Sequence, residues 1–100
     1  QGEWITPTLA AGWVQDDAFT PIGYMKDTLG WVHLRGRIKS GTLGANAFSM
    51  PAGYKPYKNT FFPLVSNNAF GYIVIYSTGN CYLGGNNTWI DLGEIIFKPA

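Results

Sequence analysis

The spacing of turn-forming residues limits this chain to short strands more strictly than any other feature of its sequence. Glycine, proline or a pair of turn-forming polar residues recurs every several positions, and no interval between them is long enough for a helix with a continuous apolar face. These residues are Pro7, Gly12, Asp16–Asp17, Pro21, Gly30, Gly41, Gly44, Pro51, Gly53, Pro56, Pro63, Asn67–Asn68, Gly79–Asn80 and Gly84–Asn87. The pattern predicts an all-β fold, in which antiparallel hairpins form a two-sheet sandwich of the jelly-roll type.

The clearest alternation of apolar and polar side chains runs from Trp31 to Ile38. Because successive side chains of a strand point to opposite faces, this segment predicts a strand with one apolar face and one aromatic and basic face. The apolar face comprises Val32, Leu34, Gly36 and Ile38, and the other comprises Trp31, His33, Arg35 and Arg37. A glycine on the apolar face predicts that a large neighbour, such as an aromatic side chain of the facing sheet, fills the space.

Further strands are predicted on either side of two tight turns. Residues 45–50 form a short strand that Pro51 ends, after a hairpin turn at 41–44. The run Tyr72–Tyr76 is apolar on both faces, which is typical of a central strand covered on both sides. A turn at 77–80 leads into a return strand at 81–83. The last strand runs from Thr88 to Phe97, with a break near Gly93–Glu94.

A chain of 100 residues is the size of one small domain. We expect residues 3–100 to form that domain, whereas Gln1–Gly2 resemble the remnant of an expression tag. A net charge of +1 gives no long-range attraction for nucleic acid, and no apolar run approaches the ~20 residues of a membrane span. Neither nucleic-acid binding nor membrane insertion is therefore expected.

The residues that enzymes and metal sites use are too sparse here to form a recognisable constellation. His33 is the only histidine and Cys81 the only cysteine, whereas a zinc site takes three or four ligands. Nothing in the spacing of the serines and aspartates places a nucleophile beside His33. The Gly41–Gly44 segment lacks the lysine and hydroxyl residue of a phosphate loop. We expect no catalytic residues, no metal and no cofactor.

Two loops combine aromatic rings with amides, which is the usual make-up of a protein site for sugars. An aromatic ring packs against the C–H face of a pyranose, and planar amides bond to its hydroxyl groups. The candidate saccharide contacts are Tyr82, Asn86, Asn87 and Trp89 in one group, and Asn67 and Asn68, beside the rings of Phe70 and Tyr72, in the other. Asparagine is also a favoured turn residue and tryptophan is often buried, so turn and core roles stay open for these residues.

The face formed by His33, Arg35 and Arg37 is a second candidate for binding. The planar fork of arginine suits phosphate oxygens, which occur in the polyphosphate glycans of Gram-positive cell walls. The same face also suits pairing with acidic residues across a subunit interface, or plain exposure to water. Interface and solvent are the interpretations that we favour for these three residues.

Several short motifs follow one another along the chain, each occurring once. The segment Leu29–Pro56 contains a strand of the form G-x-V-x-L-x-G-x-I, followed by a corner of the form P-x-G-Y-x-P. The other motifs are Gly12–Trp13, Pro21–Asp27, Phe62–Pro63, Gly79–Cys81 and Trp89–Leu92. Together they resemble the C-terminal head domains of tail-fibre and baseplate receptor-binding proteins of tailed bacteriophages.

That resemblance implies a non-enzymatic domain of a phage tail fibre or baseplate, which binds a saccharide or teichoic-acid-type receptor on the bacterial surface during host adsorption. It further implies a homotrimeric head in the virion, assembled in the host cytoplasm, with contacts to other tail or baseplate proteins through N-terminal regions outside this sequence. Two alternatives stay open: a structural trimerisation or capping domain without its own receptor site, and a carbohydrate-binding appendage of a cell-wall or capsule hydrolase.

Overall fold

The computed structural model of the chain describes residues 3–16, 21–93 and 95–99, so the predicted tag remnant Gln1–Gly2 lies outside the described residues. Within the described part, the chain forms ten β-strands and no helix, and hence no helix that is long and apolar enough to cross a membrane. The strands are β1 (Val14–Gln15), β2 (Gly23–Lys26), β3 (Val32–Arg35), β4 (Arg37–Lys39), β5 (Asn46–Ser49), β6 (Thr60–Ser66), β7 (Ala69–Ile75), β8 (Asn80–Gly84), β9 (Ile90–Asp91) and β10 (Ile95–Phe97). The predicted all-β class is confirmed.

The strands form two antiparallel sheets. The large sheet has seven strands in the order β1-β4-β9-β6-β7-β8-β5, and the small sheet has three strands in the order β10-β3-β2. Their inner sides share one hydrophobic core, whose members include Trp13, Tyr24, Leu34, Ile38, Phe48, Met50, Ile73, Leu83 and Phe97. This architecture is the predicted two-sheet sandwich.

The alternating segment at 31–38 is divided between the two sheets. The burial of its side chains follows the prediction. Val32, Leu34 and Ile38 are buried, whereas His33, Arg35 and Arg37 are partly exposed. The strand that ends at Arg35 belongs to the small sheet, however, whereas β4 belongs to the large sheet. One alternating run therefore supplies two strands.

Gly36 makes this change of sheet possible. Its φ of 106° lies in the left-handed region, which glycine adopts without a steric penalty. A Cβ atom at this position would overlap the backbone of Pro21 and Ile22. The space at Gly36 is thus taken by backbone, and the prediction of an aromatic neighbour there is wrong.

A second crossing between the sheets lies beside the first. β9 of the large sheet is followed after three residues by β10 of the small sheet, which confirms the predicted break near Gly93; Glu94 itself lies outside the described residues. The N–H of Leu92 donates to the carbonyl oxygen of Gly36 at 2.7 Å. Two of the places at which the chain passes between the sheets are therefore hydrogen-bonded to each other.

The longest hairpin joins β6 and β7. Its turn consists of Asn67 and Asn68, whose φ angles of 49° and 63° are those that a type I′ turn requires. Pro63 is tolerated within β6 because β9, the neighbour on the other side, pairs only with Val65 and Ser66. The hairpin at 77–80 is also formed, with Gly79 at a φ of 98°. Both turns match the sequence-based expectation.

Residues 41–44 connect distant strands and do not form the predicted hairpin. β4 pairs with β1 and β9, whereas β5 pairs with β8 at the far side of the large sheet. Gly41 is required because the ring of Trp13 occupies the place of a side chain there, and Gly44 has a φ of 80°. These glycines reflect close packing and a bend in a connecting loop.

The outer face of β7 is only partly covered, so the prediction of a strand covered on both sides is wrong. Ile73 and Ile75 point into the core and are fully buried. On the opposite face Val74 is buried, but Tyr72 and Tyr76 are 41% and 37% exposed. The small sheet covers the inner side of the large sheet and leaves these rings in contact with solvent.

Candidate functional site

The loop at 85–89 is held to the β6–β7 turn by one buried hydroxyl group. The Oγ of Ser66 donates to the carbonyl oxygen of Asn86 at 2.8 Å and accepts the N–H of the same residue at 2.7 Å. The N–H of Asn67 donates to the carbonyl oxygen of Trp89 at 3.1 Å. The structure thus brings the two predicted groups of saccharide contacts together, apart from Tyr82.

The asparagines of this region hold the backbone in place. The Oδ1 of Asn86 accepts the N–H of Thr88 at 2.8 Å, and the Nδ2 of Asn87 donates to the carbonyl oxygen of Gly41 at 2.8 Å. Trp89 is half-buried. These internal contacts leave fewer free groups for a sugar than the sequence pattern indicates.

Tyr82 lies apart from that loop, on the outer face of the large sheet. Its ring centroid is 5.1 Å from that of Tyr76, which follows β7 at the end opposite to the turn at 67–68. The six predicted saccharide contacts therefore occupy two separate places, one at each end of β7.

His33 and Arg35 each have a partner on the outer face of the small sheet. The Nε2 of His33 lies 2.7 Å from Oδ2 of Asp27, and the guanidinium of Arg35 lies 4.1 Å from the ring centroid of Trp4. The two side chains lie on the face that the alternation predicts, but they are engaged in separate contacts within the chain.

Arg37 is separated from these two residues by the change of sheet at Gly36. Its guanidinium lies 4.3 Å from the ring centroid of Trp89 and forms ion pairs with Asp91 at 3.7 Å and Asp16 at 3.9 Å. Such a charge is already matched by carboxylates of its own chain. The three predicted basic residues therefore do not form one continuous surface.

Trp4 is a prominent aromatic residue on the outer face of the small sheet. Ile5 pairs with Tyr24 through two backbone hydrogen bonds of 2.7 and 2.9 Å, which extends the edge of the small sheet. Because neighbouring side chains alternate, Trp4 turns to the outer face, where it lies over Gly23. The nearest indole carbon lies 3.5 Å from the place that a Cβ at Gly23 would take, which is an ordinary contact distance, and 37% of Trp4 stays exposed.

Two cavities of about 320 and 260 Å³ share Trp4 and His33 as walls. We call them together the Trp4 groove. The other lining residues are Met25, Asp27, Thr28 and Leu29 in the first cavity, and Leu34, Arg35, Gly93 and Ile96 in the second. The first cavity alone reaches the lower end of the range of sites for small ligands.

Asp27 is a fixed, charged acceptor in this groove. Besides His33, the N–H groups of Leu29 and Trp31 donate to its carboxylate, each at 2.9 Å. The hydrogen bond from His33 and the backbone hydrogen bond from Trp31 lower the pKa of Asp27 below its usual value. The carboxylate is therefore ionised and oriented at neutral pH.

The chemistry of the groove suits binding. It combines an aromatic ring, a carboxylate, an imidazole and a guanidinium, whose Nε is buried and has no hydrogen-bond partner among the described residues. The pair of His33 and Asp27 has the geometry of a base and its orienting group. Thr28 is the sole hydroxyl residue among the described lining residues, and neither serine nor cysteine is present there to serve as a nucleophile. The described residues contain no group of three potential metal-ligating side chains.

A third cavity of about 410 Å³ lies between residues 6–10 and β5. Its polar groups are less available to a ligand than those of the Trp4 groove, because they bond to one another. The Nδ2 of Asn46 donates to Ser49, whose hydroxyl donates to the Oδ1 of Asn80. The Oδ1 of Asn46 accepts the N–H of Cys81. No charged side chain lines this cavity among the described residues. The Trp4 groove is therefore the better candidate.

Sequence reasoning missed the Trp4 groove because Trp4 stands outside the alternating segments. One signal was available. Gly23 is the first residue of β2, and a glycine in a strand often marks the close approach of another group. That signal indicates that something covers Gly23 but does not identify the tryptophan.

The comparison with known proteins gives a structural likeness. No family model and no curated protein sequence matches the chain. The fold is similar to the crystal structure of the receptor-binding protein gp15 of Listeria phage PSA, with a TM-score of 0.74 and 18% sequence identity. The likeness covers 97% of this chain and 64% of that protein. At this identity it shows a shared fold.

Proposed function

We propose that this chain is a receptor-binding domain of a bacteriophage tail protein, in a fibre or a baseplate. It binds a saccharide or teichoic-acid-type polymer of the host cell surface during adsorption and does not modify that polymer chemically. It acts in the virion after assembly in the host cytoplasm. Its other partners are copies of itself, as a homotrimer, and tail or baseplate proteins held through N-terminal regions outside this sequence.

The Trp4 groove is the observation that carries this proposal. An exposed indole supplies a flat apolar surface for a pyranose ring, and Asp27, His33 and Arg35 beside it supply polar partners for hydroxyl or phosphate oxygens. The motifs that resemble phage receptor-binding heads and the fold shared with gp15 of phage PSA support the same function. Weak individual contacts are sufficient when several copies bind one polymer together.

The proposal is tested by binding of the fluorescently labelled chain to intact Gram-positive cells, including Listeria, and to their purified wall polysaccharides and teichoic acids. We expect saturable labelling that the free polymer inhibits. Trp4→Ala should weaken binding about tenfold or more, because an aromatic contact at the centre of a site carries much of its affinity. Trp31→Ala is the matched control, since Trp31 is 41% exposed on the same sheet side but does not line the groove.

The assay tests the receptor-binding function and the position of the binding site separately. If no cells or polymers are labelled, the receptor role is wrong. If Trp89→Ala weakens binding and Trp4→Ala does not, the role stands and the site lies at the loop 85–89. Release of fragments from the polymer during the assay would contradict a non-enzymatic domain. Thermal melting of each variant shows that it is folded.

A structural trimerisation or capping domain is the second candidate function, and one observation favours it. The outer side of the large sheet exposes several large apolar side chains, among them Phe61 and Phe70. A module that serves only assembly should use this surface and leave the Trp4 groove without a ligand. Oligomers that bind no cell-surface polymer would support this second function.

A further inference from the structure

Arg35 carries a positive charge that is not paired with a carboxylate in the described part of the chain. Its guanidinium lies 4.1 Å from the ring centroid of Trp4 and forms no ion pair among the described residues. Its Nε is buried and has no hydrogen-bond partner there either. A guanidinium stays charged in proteins and offers five N–H donors in a planar fork. Arg35 therefore has donors left for an acceptor from outside the chain.

Arg37 provides a comparison within the same chain. It also lies over an indole, that of Trp89 at 4.3 Å, and its Nε is likewise buried without a hydrogen-bond partner among the described residues. Its guanidinium, however, is paired with Asp91 at 3.7 Å and with Asp16 at 3.9 Å. The two arginines thus share an aromatic contact and differ in their counter-charge. The fold balances the charge of Arg37 and leaves that of Arg35 unbalanced.

Arg35 lines the smaller cavity of the Trp4 groove, which has a volume of about 260 Å³. We call it the Arg35 cavity. Two of its other walls are the indole of Trp4 and the aliphatic side chain of Ile96, and no carboxylate lines it among the described residues. Apolar walls hold the effective dielectric constant below that of bulk water, so the attraction between Arg35 and an anion is stronger here than on an open surface.

The carboxylate of Asp27 belongs to the other cavity of the groove and is largely used within the chain. It accepts the N–H groups of Leu29 and Trp31, each at 2.9 Å, and its Oδ2 lies 2.7 Å from the Nε2 of His33. It forms no ion pair with Arg35. The two cavities therefore differ in chemistry, because one contains an engaged carboxylate and the other contains a free guanidinium.

We propose that the Arg35 cavity binds an oxyanion, a phosphate or carboxylate group of the ligand, through the guanidinium of Arg35. This inference rests on the proposed receptor-binding function and narrows its ligand to an anionic polymer, so that a neutral polysaccharide is excluded. The fork of arginine matches two oxygens of either group, and such charge-assisted hydrogen bonds are stronger than neutral ones. Because both cavities share Trp4 and His33 as walls, a sugar ring and its acidic substituent can occupy them side by side.

The test measures the affinity of the chain for three purified wall polymers: a phosphodiester-linked teichoic acid, a uronic-acid polysaccharide and a neutral polysaccharide. We expect binding to an anionic polymer and none to the neutral one, and affinity should fall as salt is added. Arg35→Gln should weaken binding about tenfold to a hundredfold and flatten the salt dependence, because it removes hydrogen bonds between charged groups. Arg35→Lys keeps the charge without the fork and should restore only part of the affinity.

Lys26→Gln is the matched control. It removes the same charge from the same small sheet, but the amine of Lys26 lies 4.7 Å from the ring centroid of Tyr54 and does not line the groove. Its affinity for the anionic polymer should therefore equal that of the wild type within about twofold. Thermal melting of each variant shows that it is folded.

The outcomes separate this inference from the function on which it rests. Binding to the teichoic acid alone identifies phosphate as the anion, and binding to the uronic-acid polymer alone identifies carboxylate; each supports the inference. If Arg35→Gln labels cells and binds polymers like the wild type, or if the neutral polysaccharide binds equally well, the receptor-binding function stands and the inference is wrong. A wild-type chain that labels no cells and binds no polymer overturns the function, and the inference with it.

Discussion

A single buried hydroxyl group, that of Ser66, determines how the loop at 85–89 meets the β6–β7 turn. Both backbone groups of Asn86 bond to it, and a buried polar group that loses its partner costs about 1–3 kcal/mol. Asn87 has a comparable role, since its amide connects the loop to Gly41. The identities of these residues follow from the fold, whether or not a ligand binds beside them.

Cys81 gives a prediction at the same scale. It is fully buried, and burial raises the pKa of its thiol from an ordinary value near 9 to about 12. Because the thiolate is the reactive form, its population at pH 8 falls about a thousandfold, and access is blocked as well. We expect a thiol reagent such as DTNB to label the native chain at least ~1,000-fold more slowly than the chain in denaturant. Similar labelling rates in the two states would show that Cys81 is accessible in the native fold.

At the scale of strands, local pattern predicts which residues face the core better than it predicts which sheet they join. The alternation of buried side chains continues through Gly36 without a change of period, so the transfer from β3 to β4 leaves no trace in the pattern. The glycines at 41–44 likewise predict a turn. Gly41 is required, however, because the ring of Trp13, which is distant in sequence, occupies the place of a side chain there. Contacts between residues far apart in sequence decide both cases.

The candidate site was predictable to a smaller extent for the same reason. The alternation places His33 and Arg35 on the polar face of a strand, where interface or solvent is the favoured interpretation. Trp4 reaches them only because Ile5 pairs with Tyr24, about twenty residues along the chain. No local periodicity encodes that pairing. The asparagines stand out in the sequence as possible ligand contacts. In the structure, the positive φ angles of Asn67 and Asn68 and the backbone hydrogen bonds of Asn86 and Asn87 give these residues structural roles.

Gly36→Ala tests the crossing between the sheets. The variant combines an unfavourable φ with overlap of the added Cβ and the backbone of Ile22, so we expect a loss of roughly 2–5 kcal/mol in the free energy of unfolding. Gly44→Ala is the matched control, because Gly44 has a φ of 80° but no atom within 4 Å of the added carbon. It should cost only about 1–2 kcal/mol. Equal losses in urea denaturation of the two variants would refute a steric role for the backbone contact at Gly36.

At the scale of the whole molecule, the two sheets share one core, and two of the crossings between them are bonded to each other. Among the described residues, the buried side chains of both sheets belong to one cluster, and neither sheet has a core of its own. We therefore expect a single cooperative unfolding transition at a fixed protein concentration. Tryptophan fluorescence and far-ultraviolet circular dichroism should give coincident denaturation curves, and the calorimetric and van't Hoff enthalpies should agree. A small sheet that melts first would separate the curves and contradict this expectation.

The crossing at Gly36 also has a mechanical consequence. The Trp4 groove lies on the small sheet, the exposed rings of Phe61 and Phe70 lie on the large sheet, and Gly36 is the single residue between β3 and β4. A pull applied at the groove through His33 or Arg35 therefore reaches the large sheet along the peptide backbone, and does not depend on side-chain packing between the sheets alone. The hydrogen bond from Leu92 to Gly36 joins the second crossing to this path. The two sheets are thus coupled through the backbone as well as through the shared core.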